Sequence, residues 1–134
     1  MRFDEETGCF VIESPLSVNV GKKKFMLNMN PYRNAHYQVL NKAKQEYKRV
    51  MKDEILSLPK MEKIVIDYEI TFGDNRRRDG MNIASVTSKF FLDALVEYNV
   101  LKDDNYKNVL HEEWNPCGVE KDNGKVTIYL RPVV

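Results

Sequence analysis

Residues 76–105 read RRRDGMNIASVTSKFFLDALVEYNVLKDDN, and the side chains suited to phosphate chemistry gather there. Asp79 follows the basic run Arg76, Arg77 and Arg78. Asn82, Lys89 and Asp93 come next, and Asp103 and Asp104 close the stretch. On a helix turning ~100° per residue, Asn82, Lys89 and Asp93 share a narrow stripe at the rim of the apolar face. Clustered carboxylates in a basic surround suit a hard divalent cation, Mg²⁺ or Mn²⁺, which also contacts phosphate. Such an ion activates water and stabilises phosphoryl charge, and a neighbouring lysine offsets developing negative charge. The same residues also have a plain structural reading. Asp79 can be only a helix cap, Lys89 and Asp93 an i,i+4 ion pair, and Asp103–Asp104 a solvated turn.

Other chemistries have less support. His36 and His111 are the only histidines, and there is no GxSxG, Walker A or GxGxxG pattern. Cys9 and Cys117 stand alone without a CxxC, which predicts reduced thiols and a cytosolic protein rather than a zinc site or disulfide framework. The first residues, MRFDEETGCF, are acidic and lack the apolar core of a secretory signal. No apolar run approaches the ~20 residues of a membrane helix. The 134 residues predict one domain, 1–134, able to bury a core without staples.

Net charge is only +1 but unevenly placed. Residues 20–52 carry Lys22, Lys23, Lys24, Arg33, Lys42, Lys44, Lys48, Arg49 and Lys52 against Glu46 alone. Such asymmetry builds a basic surface on a near-neutral protein, or merely solvates it. Phosphate contacts from Lys22–Lys24 and Arg76–Arg78 would be sequence-independent and salt-sensitive. Asn28, Asn30, Tyr32 and Arg33 add polar or stacking groups, Tyr32 being equally suited to packing.

The elements that must hold these groups follow from periodicity. Residues 9–13 predict a strand, and Val18–Val20 and Phe25–Leu27 predict two more around Gly21. Asn34 is placed to cap a helix running to about Ile55, with Val39, Leu40, Ala43, Tyr47, Val50, Met51 and Ile55 on its apolar side. Residues 64–72, IVIDYEITF, alternate as a half-buried strand with Ile64, Ile66, Tyr68, Ile70 and Phe72 inward. A second helix is expected over 80–99, ended by Asn99 in a left-handed conformation. Strands at 106–114 and 125–131, joined by the turn residues KDNGK, complete the pattern. The result is α+β: one mixed or antiparallel sheet carrying two main helices. Asp103 and Asp104 can return to Asp79 only if a following strand runs beside the one that ends near Phe72.

RRRDGMN, then KFFLDAL, then LKDD, resembles the RusA-type Holliday junction resolvases common in phages and prophages. Their pattern is a basic run, Asp-x-Asp-Asn, a lysine four residues before Asp-Ala-Leu, and a later Asp-Asp pair. The likeness covers about residues 75–106 and weakens before residue 60. Carried over, it implies Asp79 as a metal-binding aspartate, Asn82 as the motif asparagine, Lys89 as the catalytic lysine and Asp104 as the later essential aspartate. It implies a homodimer that binds four-way DNA junctions and nicks two strands using Mg²⁺. The family's second motif aspartate falls on Met81, and a thioether does not bind a hard cation. Asn82 or Asp93 would have to compensate, completing a metal set of Asp79, Asn82, Asp93 and Asp104. The interval to Asp-Ala-Leu is longer by four residues, about one helical turn, which preserves the face. The resulting expectation is a Mg²⁺-dependent, structure-selective endonuclease in phage or prophage recombination and repair. The rival readings are a junction-binding protein that does not cut, and a phage structural or interaction module.

Overall fold

In the computed structural model, which describes residues 1–134, β5 (Ile64–Phe72) is the middle of the site-bearing architecture. Its alternation is as the sequence predicts: Ile64, Ile66, Tyr68 and Ile70 are buried, and Asp67 is exposed. Phe72 is only partly covered, because it sits where the strand leaves the core. The sheet order is β1 (Arg2–Asp4), β2 (Cys9–Ser14), β7 (Lys125–Pro132), β5, β6 (Val109–Val119). β5 pairs antiparallel with β7 and parallel with β6, so the sheet is mixed. β3 (Ser17–Val20) and β4 (Lys23–Met26) form a separate hairpin around Gly21, whose φ of 62° takes the left-handed turn.

There are three helices, and the first packs against the third. The fold class is α+β with two main helices packed on a mixed sheet, as expected. A single cluster of 27 buried residues joins them, including Tyr47, Ile66, Phe90, Phe91 and Ile128. No helix is long and apolar enough to cross a membrane.

The first helical stretch differs from the expectation. The helix expected after Asn34 is α2 (Tyr37–Leu56), and a short helix that the sequence did not predict, α1 (Met29–Asn34), precedes it. Asn28 caps α1 by accepting from Asn30 N, and Pro31 is tolerated inside the first turn. Ala35 is extended, and His36 rather than Asn34 caps α2, its Nδ1 accepting from Gln38 N at 3.2 Å. The buried stripe of α2 is Ala43, Tyr47, Met51 and Ile55, while Val39 and Val50 face out.

The connection between β6 and β7 also differs. KDNGK does not close a hairpin, because β5 lies between the two strands. The segment instead wraps the end of β5: Glu120 N donates to Phe72 O and Asp122 N to Gly73 O. A Cβ on Gly124 would lie 2.9 Å from Gly73 N, so the crossing requires glycine at that approach.

β5, α3 (Gly80–Glu97) and β6 form a parallel crossover unit. Asn99 ends α3 at φ 59°, as predicted, and Val100 N returns to Leu95 O. β6 is an edge strand, exposed along most of its length. Pro116, register shifts and Glu112–Glu113 blunt that edge against further pairing.

Candidate functional site

The sense of the crossover decides where the candidate residues go. A parallel β6 begins beside Ile64 and ends beside Phe72. Asp79 follows the far end of β5, whereas Asp103 and Asp104 precede the start of β6. The nine residues of β5 separate these two ends by roughly 25 Å. Asp104 therefore does not return to Asp79 within one chain, contrary to the convergence that the shared site requires.

Asp79 caps α3, its Oδ1 accepting from Met81 N at 3.0 Å. The carboxylate is exposed and also lies at the favourable positive end of the helix. Asn82 is one turn on and exposed. Lys89 is on the same side but ten residues from Asp79, about 15 Å of helix rise.

Asp93 is about 21 Å along the same axis from Asp79. It does not pair with Lys89. Lys48 of α2 takes it at 3.1 Å and takes Glu97 at 2.9 Å, tying the two main helices together. Burial opposes the charge on Lys48, but hydrogen bonds to Glu97 and Asp93 outweigh it and raise its pKa. Lys48 is thus withdrawn from the basic surface that residues 20–52 suggested, and Asp93 is an interhelical anchor rather than a cation ligand beside Asp79. Asp79, Asn82, Asp93 and Asp104 do not fit one Mg²⁺ shell of ~2.1 Å bonds inside one chain.

The basic groups are partly neutralised. Asp74 bonds Arg78 at 2.8 Å and contacts Arg76 at 3.4 Å, so only Arg77 of the arginine run lacks an ion pair. The hydrogen bond from Arg78, then that from the Arg76 backbone, hold the Asp74 carboxyl below its ordinary pKa. Arg78, Lys24 and Asn28 nevertheless line one groove of about 370 Å³, together with Asp74 and Asp122. Lys22 and Lys23 are exposed at the neighbouring hairpin turn, and Arg33 is exposed on α1.

Lys89 has no ion-pair partner. Its Nζ sits 5.7 Å from the centroid of the Tyr32 ring, which itself packs against the core beside Phe90. Tyr32 is therefore a platform for Lys89. Lys89 also lines a cleft of about 320 Å³ between α3 and β6. That cleft contains residues to which the sequence reading gave no functional role: Tyr68, Ser88, Glu112 and Trp114. Glu112 Oε1 accepts from Tyr68 Oη at 2.8 Å and from Ser88 Oγ at 2.6 Å. Burial, then the Glu112 charge, push the Tyr68 phenol well above its ordinary pKa. The available signal was the alternation HEEW, with Glu112 and Trp114 on one side of a strand, but its direction needs the register.

Asp67, His111 and Glu113 place ligand atoms within 4.8 Å of one another. Asp67 and His111 lie on the open face of the sheet, away from the helices and Lys89. Cys9 and Cys117 are free thiols. No protein-family model matches this sequence, and no curated protein matches it either.

Proposed function

We propose that this protein is a Mg²⁺-dependent endonuclease that cuts branched DNA, four-way junctions in particular, as a homodimer. Lys89 carries the reading. It is an unpaired cation held on an aromatic platform at the mouth of a cleft. Such a group suits the charge that develops at a phosphodiester undergoing hydrolysis. Asp79 at the start of the same helix adds an acid, and Lys24 with Arg78, in a second groove, add cations suited to phosphate. The resemblance to RusA-type resolvases supplies the substrate class.

Asp79 and Asp104 do not meet within one chain, so a site that uses both requires Asp104 of a second copy to stand beside Asp79. The test is a labelled synthetic four-way junction incubated with protein and Mg²⁺. Paired nicks near the branch point, lost in Lys89→Met with binding retained, are the expected result. Binding without nicks at high protein concentration removes the nuclease reading. It would favour the second one, a junction-binding protein without cleavage, which the apolar Met81 and the engagement of Asp93 by Lys48 support.

A further inference from the structure

We infer that the cleft between α3 and β6 is a binding slot for one unstacked nucleobase, with guanine as its preferred occupant. The inference rests on the proposed action on DNA for the source of the base, and on the cleft's own chemistry for its identity. The volume of about 320 Å³ lies at the small end of ligand pockets, ~300–1,000 Å³. Its walls combine flat and polarisable apolar groups with a few fixed polar ones. Trp114 is half-buried and lies against the backbone of Gly80, where an added Cβ would meet its ring at 2.4 Å. Met81 is 52% exposed on the first turn of α3. Aromatic surfaces bind unpaired bases by stacking, and thioethers contact aromatic rings favourably.

The polar element is Glu112. Its Oε1 is occupied by the Tyr68 and Ser88 hydroxyls, which fix the carboxylate plane. Oε2 accepts from no protein group and keeps two acceptor positions for a ligand. Guanine is the base whose Watson–Crick edge offers two adjacent N–H donors, N1–H and N2–H, to such an acceptor. A guanidinium has a similar donor pair, and Glu113 adds a second carboxylate to the lining, but Lys89 has a role in the cleft only for an occupant that also carries an anion. Lys89 suits the phosphate attached to the base. The slot would therefore seat a base next to the phosphate that Lys89 meets, giving the proposed nuclease a preference at one nucleotide.

Trp114 is the only tryptophan in the chain, so one indole N–H resonance reports on the cleft alone. The experiment titrates ¹⁵N-labelled protein with dGMP and, separately, with dIMP, which lacks the 2-amino group. The expected result is a saturable shift of the Trp114 indole peak by dGMP. The affinity for dIMP should be at least ~10-fold weaker, since a hydrogen bond to a charged group is lost. Glu112→Gln should remove most of the difference. No saturable shift with dGMP, or equal affinities for dGMP and dIMP in the wild-type chain, overturns the inference. Junction binding is followed in parallel by anisotropy of labelled DNA. Its absence alongside a dGMP response would sink the action on DNA and leave the slot standing, whereas junction binding without a dGMP response would do the reverse.

Discussion

At Asp79 two roles overlap, and a single atom separates them. The carboxylate caps α3 through Oδ1. Asparagine caps about as well as aspartate, whereas alanine in place of a capping residue costs about 1 kcal/mol. Asp79→Asn should therefore leave the denaturation midpoint nearly unchanged, and Asp79→Ala should lower it. If the proposed activity is correct, both variants lose nicking, and nicking by Asp79→Asn at wild-type rate would leave only the cap. Tyr47 and Tyr68 give a second residue-scale expectation. Tyr47 is fully buried and bonded to Ser14 at 2.8 Å, and burial raises its pKa; Tyr68 is raised for the same reason. An unfolded tyrosine titrates near ~10. Below that pH neither phenol affects stability; above it the unfolded chain releases protons that the folded chain keeps, so stability falls as pH rises. Tyrosinate absorbance should show these two of the seven tyrosines ionising only together with loss of the folded circular dichroism signal.

At the scale of elements, α3 is a spacer anchored at several points along its length. Gly80 lets its first turn lie on Trp114, Ser88 bonds Glu112, and Asp93 with Glu97 holds Lys48 on α2. Alanine normally favours a helix over glycine by roughly 0.5–1 kcal/mol. At position 80 the sign should reverse, because a Cβ 2.4 Å from the indole ring cannot be seated without moving α3 or β6. Overpacking of this kind costs about 1–3 kcal/mol. Chemical denaturation of Gly80→Ala should show that loss, with a displaced Trp114 emission spectrum. An unchanged or raised midpoint would mean that the α3–β6 seam is loose. The start of α2, expected at Asn34 and found at His36, shows why boundaries were less legible than faces. His36 caps through its ring nitrogen and Ala35 is extended, and neither residue type announces a helix start.

At the scale of the molecule, the proposed site must be assembled from two chains. Mixing Asp79→Asn protein with Asp104→Asn protein tests this directly. In a heterodimer with shared sites, one site carries both substitutions and the other carries neither, so nicking should reappear on one strand after subunit exchange. With sites confined to single chains, the mixture stays inactive. The sequence by itself determined the α+β class, the alternation of β5, the apolar side of α3 and the left-handed stop at Asn99. These depend on periodicity and local backbone preference, which adjacent residues express. It also brought forward Asp79, Lys89 and Asp104 by their types and spacing. The tertiary structure alone decided that β6 runs parallel to β5. That one direction sends Asp104 to the opposite end of the sheet, lets residues 120–124 cross over β5, and turns Glu112 and Trp114 toward Lys89. Strand direction is set by pairing between segments some 40 residues apart, and no local pattern in either strand encodes it.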